Sequence, residues 1–465
     1  MELSQMKKLI EKSMVKHTQF ILKCREAEKY YKNENDILIS KSPGNTAENE
    51  SDPNPLRNAD NRIPHNFHGL LVNQKAAYMF TYPPTFDVGN DKDNKLIADT
   101  LGDDFTKECI DLCVDAANCS RAWLHVWKDE AKGFQYSNVD PKEVIPIYSG
   151  SLKKELMAVI RVYVMVDDKD AQEYDIYEYW DNEKCIVYRK KREDSVEGLT
   201  EYNMFAEINI IDNLEEEELS NIYEHDFGVV PFIEFPNNNI STNDLKNIKK
   251  LIDIYDKIDS GFVNDLEDIQ EIVFVLTNYG GTDLKEFLHG LKKYKTVDMQ
   301  NSGVDDKSGL STLTIDIPIE AREKLLDRTR KLIFELGQGI DPNPENFGNS
   351  SGVALEYLYS LLELKSGFTE AQFRPGFNKL VRIVCGDKKV GRIVQTWTRN
   401  KIRNDKETAE IAKMSQGVIS DRTIMKNHPW IDDIELEEKQ KSEDEAGMYN
   451  TKNPYVNKNI GVNNE

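Results

Sequence analysis

Between residues 245 and 336 the sequence imposes a helix, an interruption and a second helix, and any fold has to accommodate that plan. Leu245, Ile248, Leu251, Ile252, Tyr255, Ile258, Phe262, Leu266, Ile269, Ile272 and Val273 recur at three- and four-residue steps, the period of one helical face. A continuous helix over 245–276 would be about 48 Å long at 1.5 Å per residue. Its other face is acidic, with Asp253, Asp256, Asp259, Asp265, Glu267, Asp268 and Glu271. Gly280-Gly281 ends the pattern. Residues 278–318 read as a compact α/β insertion, with a short helix near Asp283–Leu291 and strands near Lys295–Met299 and Leu310–Ile317. The second helix spans Glu320–Leu336, apolar at Ala321, Leu325, Leu326, Leu332, Ile333 and Leu336 and basic at Arg322, Lys324, Arg328, Arg330 and Lys331. An acidic helix followed by a basic one predicts an antiparallel pair whose opposite charges meet, within a subunit or between two.

The stretch Gly337 to Asn349 contains two prolines and three further glycines' worth of chain freedom at Gly337, Gly339 and Gly348, which forbid regular structure. Ser350 or Ser351 can cap a long helix from Val353 to about Val384. The stretch Gly337 to Asn349 is therefore a loop held between two helices. Upstream, 1–32 reads as an amphipathic helix, 40–62 as an exposed loop or arm, and Phe67–Phe80 as a helix stopped by Tyr82-Pro83-Pro84. A further helix is expected over 95–119. From 122 to 235 short strands are expected: Ala122–Lys128, Leu156–Val166, Tyr174–Trp180, Lys184–Lys190 and Tyr202–Ile211. The acidic run Glu215–Glu218 reads as a solvated loop or helix end. Residues 405–447 form a smaller, acidic helical unit, and 448–465 a disordered tail. The fold class is α+β, mainly helical.

A chain of 465 residues is long enough for two to four subdomains. Its net charge of −22 and the lack of a Lys/Arg stripe oppose a protein that grips DNA by its backbone. Such a charge suits either no nucleic-acid contact or a protein that surrounds DNA without holding it. Met1–Lys16 has no uninterrupted apolar core of a signal peptide, and no stretch reaches the roughly 20 apolar residues of a membrane span. The six cysteines are expected to be reduced thiols of a cytoplasmic protein. Cys109, Cys113 and Cys119 lack the partners of a metal site, and His65 and His68 read as packed or hydrogen-bonded side chains. Neither a GxxxxGK[ST] phosphate loop nor a GxSxG elbow is present. No catalytic residue, cofactor or metal ligand is nominated.

Three segments carry a family resemblance. Asn61-Arg62-Ile63-Pro64-His65-Asn66-Phe67 precedes the helix Leu70–Phe80 and Pro83-Pro84; Ser351-Gly352-Val353-Ala354-Leu355 opens the long helix; Gly417-Val418-Ile419-Ser420, Thr423 and Pro429-Trp430-Ile431-Asp432-Asp433 lead into a Glu-rich helix. In this order, over roughly residues 1–445, they resemble the portal proteins of tailed bacteriophages, of the type common in phages of Gram-positive bacteria. Thr81 stands where that family often has glycine. The resemblance implies a non-enzymatic ring, usually of twelve subunits, at one capsid vertex of the virion, assembled in the host cytoplasm. Double-stranded DNA would be packaged and ejected through it. Terminase large subunit, a head–tail adaptor, and capsid and scaffolding proteins would be its partners, with no membrane. It divides the chain into wing (1–243), first stem helix (244–277), clip (278–318), second stem helix (319–339), tunnel loop (340–352), wing again (353–404), crown (405–447) and tail (448–465). The implied DNA-facing residues are Asp341, Pro342, Asn343, Pro344, Glu345, Asn346, Phe347, Gly348 and Asn349 of the tunnel loop. Asp256, Asp259, Glu267, Arg322, Arg328 and Lys331 are the candidate channel-lining positions of the stem. A tail or baseplate component is the alternative, and a packaging nuclease or terminase subunit a more distant one, since it would need a Walker motif or metal-binding carboxylates.

Overall fold

Helix α1 (Leu3–Tyr31) is started by Gln5, whose side chain accepts the backbone N–H of Glu2 at 3.3 Å, a reciprocal cap. Its buried side chains Met6, Ile10, His17, Cys24, Ala27 and Tyr30 form a stripe that joins two cores. Met6 and Ile10 pack on a β-sheet with Ile160, Ile186 and Tyr188, whereas Ala27 and Tyr30 pack with Phe67, Ile252, Ile333 and Phe334. The structure is a computed structural model that describes residues 1–39, 59–129, 131–167, 170–211, 214–269, 273–277, 309–313, 318–343, 352–386, 390–401, 405–426, 431 and 434–451. The chain falls into two units, Met1–Ile340 with Leu361–Arg399, and Asp341–Ser360 with Asn400–Glu465.

In the first unit, α2 (Phe67–Phe80) begins where Asn66 Oδ1 accepts the Gly69 N–H at 3.0 Å and ends ahead of Pro83-Pro84. Strand β1 (Thr85–Asp87) follows. The single helix expected over 95–119 is two, α3 (Asp91–Leu101) and α4 (Phe105–Cys119). Gly102 separates them at φ +61°, a left-handed conformation that glycine adopts without strain.

The strand-rich region is antiparallel throughout its described pairings. Strands β2 (Arg121–Asp129), β3 (Gly133–Val139), β4 (Val144–Tyr148), β5 (Leu156–Val166), β6 (Glu173–Trp180), β7 (Lys184–Lys191), β8 (Thr200–Glu201), β9 (Phe205–Ile211), β10 (Leu214–Ser220), β11 (Ile222–Glu224) and β12 (Phe232–Pro236) succeed one another. One sheet runs β11-β7-β6-β5-β4 with β8 also on β7, a second runs β12-β2-β3, and β9 pairs with β10. The acidic run Glu215–Glu218 is thus not a loop or helix end. It lies in β10 opposite Ile210, Asn209, Ile208 and Glu207, because the isoleucine-rich β9 is a strong strand former that recruits it as a partner.

The helix expected over 245–276 is shorter and changes type. A 3₁₀ turn at Leu245–Asn247 leads into α5 (Lys249–Ile269). Then β13 (Val273–Thr277) pairs with β14 (Gly309–Leu313), Val273 opposite Leu313. Alternate valines at 273 and 275 satisfy a strand period as well as a helical one, and the β-branched side chains with an available partner decide for the strand. The helix near Asp283–Leu291 and the strand near Lys295–Met299 lie outside the described residues. Helix α6 (Ile319–Gly337) packs along α5. Helix α7 (Gly352–Cys385) is the longest, and β15 (Val394–Thr396) pairs with β1.

The main core of this unit collects Phe80, Phe105, Phe235, Phe373 and Phe377 from α2, α4, β12 and α7. Gly376 lets α7 approach β12, since a Cβ there would lie 2.6 Å from Phe235 Cε1. On the outer side of α4, Asp115 lines a cavity of about 300 Å³ with Asp111, Asn138, Asp140 and Lys142. Burial, with Asp140 nearby, pushes its carboxyl up to about 7. A raised carboxyl weakens the fold when charged, so Asp115→Asn should stabilise by about 2 kcal/mol at pH 8. That gain should shrink as pH falls below 7 and vanish below about 4, in urea denaturation followed across pH.

In the second unit, α8 (Asp405–Met414), α9 (Asp421–Lys426) and α10 (Ile434–Thr451) are helical. Gly417 turns the chain at φ +83°, and Lys441 pairs with Asp421 at 3.3 Å. Residues 448–451, expected to begin a disordered tail, continue α10; 452–465 lie outside the described residues.

Candidate functional site

Helices α5 and α6 meet along an apolar seam of Ile252, Ile333 and Phe334, closed by Phe67 and Tyr255. Phe67 and Tyr255 stack edge-on with centroids 5.0 Å apart, and Arg330 lies over the Phe334 ring at 5.4 Å. Opposite charges do meet here, at Arg322 and Asp265, with the Arg322 guanidinium also over the Phe262 ring at 5.6 Å.

The acidic face of α5 is largely covered by the chain itself. Asp256 is 0% exposed, and its carboxylate accepts Asn35 Nδ2 at 2.6 Å, the His65 N–H at 3.0 Å and His65 Nδ1 at 2.9 Å. Asp256 therefore does not line a solvent-filled channel, as its place on the acidic stripe had suggested. Further along, Ser260 Oγ accepts the Ile63 N–H at 3.0 Å and Asn264 Oδ1 accepts the Asn61 N–H at 2.6 Å. Asp259 lies 3.3 Å from His65 Nε2, and Glu267 accepts Asn61 Nδ2 at 2.5 Å. The reason is local. Pro64 keeps Ile63 out of the helical region, and a segment outside regular structure needs acceptors for its N–H groups. The polar stripe of α5 supplies them. Tyr30 and Lys249 likewise donate to Asp253, the latter at 3.1 Å. On α6, Arg328 and Lys331 are exposed and carry no ion pair among the described residues.

A buried charge cluster sits at the foot of α5. Asp244 Oδ2 is 2.9 Å from Lys365 Nζ and 3.4 Å from Lys75 Nζ, and its Oδ1 accepts Asn237 Nδ2 at 2.8 Å. Lys75 also donates to Asn237 Oδ1 at 2.5 Å, and Lys365 to the Gly337 carbonyl at the end of α6 at 2.9 Å. Burial by itself would raise the Asp244 carboxyl, but Lys365 and Lys75 hold it well below the usual carboxylate range. Burial lowers Lys365, and drives His68 down to about 4 beside Asn118, whose Oδ1 is 2.9 Å away. The cluster ties α2, the end of β12, the foot of α5, the end of α6 and α7 together. Sequence reading missed it, although Lys75, the one charged residue of Leu70–Phe80, was a visible signal.

The loop after α6 starts from a fixed root. Gln338 is left-handed at φ +54°. Gln74 grips Ile340 twice, its Oε1 accepting the N–H at 3.0 Å and its Nε2 donating to the carbonyl at 2.7 Å. A Cβ on Gly339 would lie 2.1 Å from Leu71 Cδ2, so any larger residue has to displace the Leu71 side chain of α2. Of the tunnel-loop residues, Asp341, Pro342 and Asn343 are described, with the Asn343 N–H 3.3 Å from Asp341 Oδ1. Pro344, Glu345, Asn346, Phe347, Gly348 and Asn349 lie outside the described residues.

Among the described residues no group of three or more His, Cys, Asp or Glu side chains is placed to hold a metal ion. The six cysteines are buried thiols outside any disulfide, and burial pushes Cys113 up to about 11. No helix among the described residues is long and apolar enough to cross a membrane.

The family model described as "Phage portal protein, SPP1 Gp6-like" matches residues 11–452. The portal protein of Clostridium phage phiCD119 is 42% identical over 455 residues, covering 94% of this chain and 95% of its own length. The portal protein of Bacillus phage SPP1 is 28% identical over 435 residues, covering 90% of this chain and 83% of its own. A solved structure, "Neck of empty GTA particle computed with C6 symmetry", aligns over 77% of this chain and 88% of its own at 10% identity, with a TM-score of 0.43, too low to carry an argument. The family match takes in the Asn61–Phe67 segment, the α5–α6 pair and the root of the loop alike, and the chain belongs to the SPP1-type family of phage portal proteins.

Proposed function

We propose that twelve copies of this portal protein form a ring at one capsid vertex, assembled in the host cytoplasm, through which double-stranded DNA is packaged and later ejected. The ring has a structural, non-enzymatic role. Terminase large subunit docks on it during packaging, a head–tail adaptor afterwards, and capsid and scaffolding proteins hold it in the vertex. Residues 1–243 and 353–404 serve as the wing, 244–277 and 319–339 as the stem, 278–318 as the clip, 340–352 as the tunnel loop, 405–447 as the crown and 448–465 as the tail. The observation that carries this reading is the family match over residues 11–452.

Physical features of the chain support it. On α7, Leu361, Leu364 and Phe368 are apolar and exposed on neighbouring turns, a stripe suited to a neighbouring subunit. A net charge of −22 repels phosphates over about 8 Å at cellular salt, which lets DNA slide instead of binding it in one register. Of the six candidate stem positions, Asp256 is buried, Asp259 and Glu267 are engaged by Asn61–His65 and Arg322 pairs with Asp265, which leaves Arg328 and Lys331 for weak phosphate contacts. The tunnel loop, Asp341 to Asn349, is the element proposed to lie nearest to sliding DNA.

Electron microscopy of the purified protein should show rings with a hole as wide as a DNA duplex; monomers under every condition would sink the proposal. Deleting residues 342–349 should leave rings intact and reduce packaged DNA to background in a phage complementation assay. Packaging at the wild-type level would remove the loop's role. ATP hydrolysis by the purified chain would contradict the non-enzymatic assignment.

A further inference from the structure

Away from the α5–α6 seam, a cavity of about 410 Å³ opens between the middle of α1, the α4–β2 corner and the segment leading into α5. Its wall holds Lys16, Lys23, Arg121, Lys246, Lys249 and Lys250 against a single acid, Glu26, in a chain with 82 acidic and 60 basic residues. Two of these cations are neutralised in place. Lys249 pairs with Asp36 at 2.6 Å and Asp253 at 3.1 Å, and Arg121 with Glu234 at 2.9 Å. Lys16, Lys23, Lys246 and Lys250 carry no ion pair among the described residues. The buried Nε of Arg121 has no hydrogen-bond partner either.

The four lysines are exposed around the cavity and form a basic patch on an acidic chain. Lys16 and Lys23 are seven residues apart on α1, about 10 Å along the helix, and share a face. Across the cavity, Lys250 lies in the first turn of α5, a turn without an acidic residue, where a cation opposes the helix dipole. Four exposed lysines without ion pairs around one cavity favour the entry of an anionic group.

We infer that this cavity is a socket for a carboxylate-rich segment of the neighbouring subunit. The inference rests on the ring reading. In a ring each subunit joins two different faces, one to each neighbour, so a basic socket on one face calls for an acidic element on the other. The chain supplies such elements in sequence, Glu215–Glu218 and Glu435, Glu437 and Glu438. A concave cavity admits extended side chains, whereas a duplex presents its phosphates on a convex surface and would touch only the rim. Charge pairing of this kind sets register and partner choice more than raw affinity.

Zero-length carbodiimide cross-linking of wild-type rings tests the socket directly, on rings assembled from mixed isotopically labelled and unlabelled subunits. Mass spectrometry should find Lys16, Lys23, Lys246 or Lys250 joined to Glu or Asp of a differently labelled copy. The quadruple variant K16E/K23E/K246E/K250E should raise the protein concentration for half-assembly about tenfold or more, with unchanged thermal unfolding of the monomer, while the quadruple Lys→Arg variant assembles as wild type. If the Glu variant does not fold, the wild-type cross-links decide alone. Cross-links confined to single chains, or equal assembly of wild type and a folded Glu variant, would overturn the socket while leaving the ring reading intact. Duplex DNA binding lost in the Glu variant with assembly unaffected would overturn it in favour of phosphate. Absence of wild-type rings would overturn the ring reading itself, and the socket with it.

Discussion

Replacing Asp244 by alanine should cost the fold about 3–5 kcal/mol, the usual penalty for leaving buried charge unpaired. Lys75, 1% exposed, and Lys365 would lose the one carboxylate between them, 3.4 Å and 2.9 Å from their ammonium groups. Asn237 would lose an acceptor at 2.8 Å. Urea denaturation of the monomer should show a lower midpoint with little change in slope. Since Asp244 is held well below its ordinary value, its contribution is complete above the usual carboxylate range and is lost as pH falls through that range toward the folded value. The variant should therefore lose part of the acid arm of the stability profile. A variant replacing Lys75 and Lys365 by methionine and Asp244 by leucine should recover much of the loss, because an apolar replacement of the whole cluster removes the desolvation cost that a single deletion exposes. A small effect of Asp244→Ala would mean that water reaches both lysines, and that the cluster does not hold the helices together.

Asp256→Ala should be the next most damaging change, at about 3 kcal/mol. It removes the acceptor of the His65 N–H and of His65 Nδ1 and one of the two acceptors of Asn35 Nδ2, which lie 3.0, 2.9 and 2.6 Å from the carboxylate. Asp259→Ala, three residues on and partly exposed, should cost under about 1 kcal/mol, as for an ordinary surface pair. The contrast separates a buried anchor from a solvated stripe, although both acids look alike in sequence. Hydrogen exchange should report it locally: the His65 and Ile63 amides should lose protection in Asp256→Ala before the helical amides of α5 do. Equal losses at all three sites would show global unfolding in place of release of the Asn61–His65 segment.

The elements with strong local signals were legible. Phe67–Phe80 has a capping asparagine before it and two prolines after it, and both limits follow from backbone chemistry. Leu156–Val166 and the long helix after Ser351 rest on β-branched runs and on length. Boundaries failed where a neighbour decided. Val273–Thr277 fits helical and strand periods, and pairing with Gly309–Leu313 selected the strand. Glu215–Glu218 reads as solvated until Phe205–Ile211 is placed beside it. Gly102 was visible, but its left-handed turn dividing α3 from α4 required the packing of both helices.

The same division holds for function. Sequence by itself pointed to the portal family, to the helix pair and to an acidic surplus that opposes a protein gripping DNA by its backbone, because motifs, periodicity and charge are properties of local order along the chain. Only the tertiary structure decided which acids of α5 are available, that Lys75, Asp244 and Lys365 share one buried site, and that four lysines from distant segments surround one cavity. Burial and pairing depend on groups brought together across more than a hundred residues, such as Asn35 with Asp256 or Lys75 with Asp244. A charge's role follows from the dielectric and the partners around it, and neither exists before the chain has folded.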